Sequence, residues 1–290
     1  MSMPSQGPAV PRRRLGAELR RLREDVGLTL EQAAVALECS TSKISRLETG
    51  KGLPKQRDVR DLARLYGKQA EAELERLLRW AREGAKAGWW QEYTKLLDAE
   101  PFMLDGVDRL VALESDASRI KAFAQPCIFG LLQTQAYARS VLANALPQHS
   151  VDEIDSLVQL RTRRQEILTE AERPLSLHAV LDEAALRREV GSREIMVEQF
   201  QQLLRWGRMP NITLQLLPFS AGFVRASAGP FMVIEFEESV DQDVVYVESQ
   251  AGNLYLEGDF GVETYVRIFD DVSRRALGPV ETEMWLRDRC

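Results

Sequence analysis

Apolar residues recur at helical spacing through the first third of the chain. Leu15, Leu19, Leu22 and Val26 mark one face of a helix over about 12–26, which Gly27 ends. Two short helices follow between 29 and 50. Thr29, with Gln32 three residues on, forms a capping box, and Leu30, Ala33, Ala34 and Leu37 then keep helical spacing. Ser40 caps the next helix, which turns Ile44 and Leu47 inward and leaves Thr41, Ser42, Lys43, Ser45 and Arg46 outward. Gly50 closes it as a C-cap glycine. Helices over 56–66 and 69–83 complete an all-helical region of about five helices, and the small, polar run 85–88 reads as a hinge.

The second region has a different period. Two helices are expected within 110–142, the later one starting after Gly130, and another over 151–171. Alternation then puts Leu175, Leu177, Ala179 and Leu181 on one face of a strand. Helices over 183–190 and 192–206 lead to strands at 211–217, 230–237, 244–248 and 254–257, and the chain ends in helices over 259–277 and 279–286. Strands so close in sequence predict an α/β (α+β) domain with a mixed, mostly antiparallel sheet and helices packed on it. The resulting division is a disordered tail at 1–11, a helical domain at 12–84, a linker at 85–100 and a second domain at 101–290. Trp89 and Trp90 are expected to anchor the linker on that second domain.

Charge changes the picture. The chain carries a net −6, which argues against nucleic acid when taken whole. Residues 12–80 hold 16 Lys/Arg against 11 Asp/Glu, leaving 22 against 33 for the rest. A basic module is therefore joined to an acidic one, as expected if only the first meets phosphates. No apolar run approaches the roughly 20 residues of a membrane span, and the start lacks the apolar core of a signal peptide. Cys39, Cys127 and Cys290 are odd in number and far apart, which fits a reducing cytoplasm rather than a disulfide framework or zinc site. His149 and His178 are the only histidines, the acids Glu183, Glu235 and Glu248 are scattered, and no phosphate loop or hydrolase motif occurs. Neither an enzyme nor a cofactor is expected.

The run from Leu15 to Gly67, with Ser-Lys-Ile-Ser-Arg-Leu-Glu-Thr-Gly at 42–50, resembles the XRE-type helix-turn-helix domain of phage-repressor-like regulators. The resemblance implies binding to double-stranded operator DNA. Thr41, Ser42, Lys43, Ser45 and Arg46 would face bases, and Arg13, Arg20, Gln32, Ser40, Lys51 and Lys55 phosphates. It also implies that Arg23 pairs with Glu48, and it sets Leu30 where relatives commonly carry glutamine. One such helix reads few base pairs, so a homodimer is expected.

Residues 88–280 resemble DUF5753, the domain of unknown function that follows an XRE helix-turn-helix in actinobacterial, partly antitoxin-like, regulators. The matching phrases are GWW, FGLLQTQAYAR, VLDEAALRREVG, NITLQLLPFSAG, GPFMVIEF and VVYVE. Where that family usually has Val-Pro, this chain has Ile128-Phe129. The resemblance implies a transcriptional regulator whose second domain answers a small-molecule effector. The alternative is an antitoxin-like protein whose second domain binds a small partner protein. Phe123, Phe129, Gln133, Glu183, Phe231 and Glu248 are the residues expected to line a ligand pocket.

Overall fold

A computed structural model describes residues 9–67, 71–94, 107–169, 173–237, 242–249 and 252–290. The chain divides into two compact units. One holds Met1–Gln91, Val107–Asp116 and Glu238–Asp241, and the other Glu92–Gly106, Ala117–Glu237 and Gln242–Cys290.

The first unit is built from α1 (Ala9–Asp25), α2 (Leu30–Ala36), α3 (Thr41–Glu48), α4 (Gln56–Leu65) and α5 (Glu71–Gly84). Its core holds most of the residues the periodicity selects: Leu15, Leu19 and Leu22 of α1 meet Ala33, Ile44, Leu47, Val59 and Leu62, joined by Leu77. Val26, expected on the same face, lies past the end of α1 and is exposed. Two glycines allow helices to approach. A Cβ on Gly16 would lie 2.5 Å from the Glu48 carbonyl oxygen, so α1 and α3 cross in direct backbone contact. A Cβ on Gly84 would meet the Arg12 stem at 2.5 Å.

Residues 9–11 of the expected disordered tail are helical, and residues 1–8 lie outside the described residues. Pro11 is tolerated because the first helical amides have no intrahelical partner. Ala9 is buried, and the Val10 N–H donates to Asp116 Oδ2 at 2.9 Å. That aspartate ends a further helix, counted α7 (Val107–Asp116) after the single turn α6 (Gln91–Thr94). The sequence places α7 in the second domain, whereas the structure assigns it to the first unit, where Leu110, Val111, Ala112 and Leu113 are buried. Burial pulls the Arg12 guanidinium down to about 10, against the opposing pull of Asp116. Trp89 and Trp90 also belong to the first unit, contrary to expectation, and the Trp90 ring folds over Gly88, where a Cβ would lie 2.3 Å from it. Residues 95–100 of the expected linker lie outside the described residues.

The second unit is a six-stranded mixed sheet with helices. Its strands are β1 (Arg119–Ala124), β2 (Ser176–Asp182), β3 (Ile212–Leu217), β4 (Phe231–Glu235), β5 (Val244–Val247) and β6 (Leu254–Glu257), in the order β3-β2-β1-β4-β5-β6. β1, β2 and β3 run parallel, and β1-β4-β5-β6 are antiparallel. Helical crossovers make the parallel half: α8 (Gln135–Ala145) and α9 (Val151–Arg164) join β1 to β2, and α10 (Glu183–Arg187) and α11 (Arg193–Trp206) join β2 to β3. α12 (Asp259–Arg275) covers one face, where Phe269 and Val272 meet Phe123, Val180, Phe231, Val233 and Val245. α13 (Pro279–Arg287) closes the edge at β3, whose Leu216 N–H donates to Thr282 Oγ1 at 3.0 Å.

β1 is the strand the sequence reading misses, having taken that stretch as helical. It is central and carries Ile120, Ala122, Phe123 and Ala124 buried on both faces, so it lacks a clean alternation. The helix expected directly after Gly130 is a 3₁₀ turn, Gly130–Leu132, and α8 starts after Thr134, whose hydroxyl accepts from the Tyr137 N–H at 3.2 Å.

Candidate nucleic-acid interface

Local chemistry fixes α2 and α3. Thr29 Oγ1 accepts from the Gln32 N–H at 3.2 Å, and Gln32 Oε1 accepts from the Thr29 N–H at 2.8 Å. Ser40 Oγ accepts from the Lys43 N–H at 3.2 Å. Between the helices Glu38 takes a left-handed backbone (φ 49°). After α3, Gly50 takes φ 65°, and the Lys51 and Gly52 N–H groups both donate to the Arg46 carbonyl at 2.8 Å. This wrap sets Lys51 beside the end of α3.

The angle between α1 and α3 is held by an ion pair as well as by Gly16. Arg23 grips Glu48 with two hydrogen bonds, Nε to Oε1 at 2.8 Å and Nη2 to Oε2 at 3.0 Å, and a third goes to the Leu28 carbonyl at 2.7 Å. Both side chains are buried. The hydrogen bond to Glu48 raises the Arg23 pKa further above its ordinary value. Tyr66 lies beside the pair, and burial, then the Glu48 charge, pushes its phenol up.

On α3, Ser42 and Arg46 are exposed one turn apart, and Thr41, Lys43 and Ser45 are half-buried. All five expected base-facing residues lie on this one helix, but Lys43 is engaged: its Nζ stands 2.8 Å from Asp58 Oδ2 of α4. Among the expected phosphate contacts, Lys51 and Lys55 are exposed. Arg20 is exposed and pairs with Glu24 at 2.9 Å. Arg13 is half-buried, and its backbone and stem lie against Gly50. Gln32 and Ser40 spend their side chains on the caps described above. Leu30 packs half-buried against the core, which explains an apolar residue where relatives commonly carry glutamine. The sequence reading misses Asp58; nothing in the spacing 43 to 58 marks the pair.

The residues expected to line a ligand pocket are dispersed among other duties. Phe123 and Phe231 pack in the core beneath α12, ring centroids 6.1 Å apart, with Tyr265 5.0 Å from Phe231. Gln133 is buried, donating to the Ile128 carbonyl and accepting from Arg161. Glu183 accepts from the Phe219 N–H at 2.7 Å and from Arg187 at 2.6 Å. Burial raises its pKa, but those two bonds outweigh it and leave the carboxyl below its usual value. Phe129 is half-buried and Glu248 exposed. A cleft of about 450 Å³ exists elsewhere, lined by Gln242, Asp243, Gly258, Asp259, Val262, Glu263, Val266 and Arg267. None of the six expected residues borders it.

Among the described residues, no helix is long and apolar enough to cross a membrane, and Cys39, Cys127 and Cys290 are free thiols. Residues 14–77 match the model of a helix-turn-helix domain, in keeping with α1–α5 and with a DNA-binding regulator. Residues 107–288 match the model of a domain of unknown function (DUF5753). Neither curated proteins nor solved structures gave a match. With well over half of its length in that second match, the chain belongs to the DUF5753 family, here behind a helix-turn-helix domain.

Proposed function

We propose that the protein is a sequence-specific transcriptional regulator of the cytoplasm that binds operator DNA through α3 as a homodimer. The exposed pair Ser42 and Arg46, one turn apart on α3, is the observation that carries this reading. Arg46 reads guanine through two hydrogen bonds, and Ser42 approaches the neighbouring base edge. Lys51 and Lys55 hold phosphates, and the net charge of +5 on residues 12–80 supports that assignment. The acidic second domain supplies the dimer contact and receives the signal.

The deciding experiment uses a duplex selected by the protein from a random library, together with a scrambled version of it. Arg46→Ala should lower affinity for the selected duplex by the equivalent of about 1–3 kcal/mol and leave scrambled DNA nearly unaffected. Equal losses on both would make Arg46 a phosphate ligand and remove it from sequence reading.

A further inference from the structure

Lys43 stands on the helix assigned to base reading, yet its charge is already answered from within the domain. Its Nζ lies 2.8 Å from Asp58 Oδ2. The Asp58 side chain is 15% exposed, and Oδ2 is shielded from solvent and meets Lys43 as an ion pair without hydrogen-bond geometry, while Lys43 keeps 41% exposure. Asp58 sits in the first turn of α4, where a carboxylate is favoured by the helix dipole. The next acid along, Asp61, is engaged with Arg57 and Arg64 on its own helix. Asp58 is therefore the acid that neutralises Lys43.

We infer that Asp58 is a positioning residue that limits sequence-independent binding: it holds the Lys43 ammonium against α4 and cancels one cation at the DNA-facing surface. An unpaired lysine at that place would add affinity for any phosphate, whatever the sequence. With Lys43 neutralised, discrimination is left to groups that read base edges, Ser42 and Arg46 foremost. A free ammonium there would bind the operator and any other DNA better by the same factor.

This inference rests on the proposed DNA-binding role, and the experiment separates the two. The full chain is titrated with the library-selected duplex and its scrambled version over a range of salt. Asp58→Asn should steepen the salt dependence of log K by about 0.9 and tighten the selected and the scrambled duplex alike, about eightfold at 0.1 M salt, leaving the ratio between them unchanged. Lys43→Met, leaving Asp58 uncompensated, should flatten the slope by a similar amount. The double variant Lys43→Met/Asp58→Asn should return to the wild-type slope. A purely structural role for the pair would lower stability in both single variants and leave the slopes alone. Selective loss of the selected duplex in Lys43→Met would instead make Lys43 a base reader and overturn the inference. If the wild type itself bound neither duplex with a salt-dependent affinity, the regulator reading would fall.

Discussion

The two units of this protein are held together by different kinds of contact. In the helical unit, caps and glycine stops within a few residues define α2 and α3, and the Arg23–Glu48 pair, the Gly16 crossing and the shared apolar core fix α3 against α1. In the sheet unit the central strand β1 pairs with β2 from Arg119↔Ser176 onward and with β4 from Arg119↔Glu235, over 50 residues and over 100 residues away. A recognition surface made of one short helix needs only its frame set from a distance. A site made across a sheet is set by distant pairings throughout.

The largest expected effect breaks that frame. Arg23→Met strands the Glu48 carboxylate, and Glu48→Leu strands the guanidinium, each at a place almost closed to water. Each should cost about 3–5 kcal/mol, and the pair of substitutions together less than either alone. Unit-resolved amide exchange is the measurement, since loss should be confined to α1–α5 while β1–β6 keep their protection. Additive losses in the double variant would show that the two charges do not depend on each other.

Gly16→Ala tests the other support. The new methyl would sit 2.5 Å from the Glu48 carbonyl and 2.6 Å from that of Leu47, and backbone cannot swing aside as a side-chain tip can. Overpacking of this kind costs about 1–3 kcal/mol. Because the helices are forced apart where α3 ends, DNA affinity should fall by more than the loss of folded protein accounts for. A stable variant with unchanged DNA binding would mean the crossing tolerates separation.

These contacts also show where the sequence can be read. Thr29 with Gln32, Ser40 and Gly50 announce α2 and α3 through residues no more than three or four apart, so both helices are legible in the sequence. The strand β1 is not. Its residues are buried on both faces, and the charges of Arg119 and Lys121 are answered by Glu235 of β4. Nothing local to 119–124 encodes that partner. The same holds for Asp58 beside Lys43 and for α7, which meets α1 through the distant Val10–Asp116 bond among other contacts. The residues expected to line a ligand pocket are hard to read for a related reason. Aromatic residues at 123 and 231 signal burial, and whether burial means core or cavity is decided by α12, which begins only at Asp259.

A smaller effect should separate the units by pH. On the α12 face of the sheet, Gln215 Nε2 donates to the Ser273 and Leu277 carbonyls, so its Oε1 accepts from Ser273 Oγ and from His178 Nε2–H, both at 2.7 Å. Burial lowers the His178 pKa, the bond to Gln215 opposes this, and Lys121 and Arg119 on β1 add to the lowering while Asp270 opposes it. A folded value below the ordinary 6.5 means the neutral imidazole is favoured on folding. Its contribution is fully present above that value and is lost as pH falls toward and through the folded one. The sheet unit should therefore weaken between pH 7.5 and 5.5 more than the helical unit, which has no described histidine. His178→Ala should cost about 1–2 kcal/mol at neutral pH through the lost bond and flatten this pH dependence. An unchanged slope in the variant would place the acid sensitivity elsewhere.

The smallest effect lies in the turn of the helix-turn-helix itself. Glu38 follows α2 in the left-handed region at φ 49°, and the turn it makes is closed by the Glu38 N–H to the Val35 carbonyl at 3.1 Å and the Cys39 N–H to the Ala34 carbonyl at 2.9 Å. A residue with a Cβ pays about 1–2 kcal/mol for that conformation, and glycine does not. Glycine loses roughly 0.5–1 kcal/mol of that advantage by its greater freedom in the unfolded chain. Glu38→Gly should thus stabilise the helical unit by about 0.5–1 kcal/mol. The side chain is exposed, so no packing is lost. Removing a carboxylate from the basic unit also changes its charge, and Glu38→Gln isolates that part because it keeps the Cβ. Denaturant unfolding of both variants gives the backbone contribution as their difference. If Gly and Gln stabilise equally, the gain is electrostatic and the turn carries no strain; if Gly alone stabilises, this sequence holds its recognition helix in place through a turn it has not optimised.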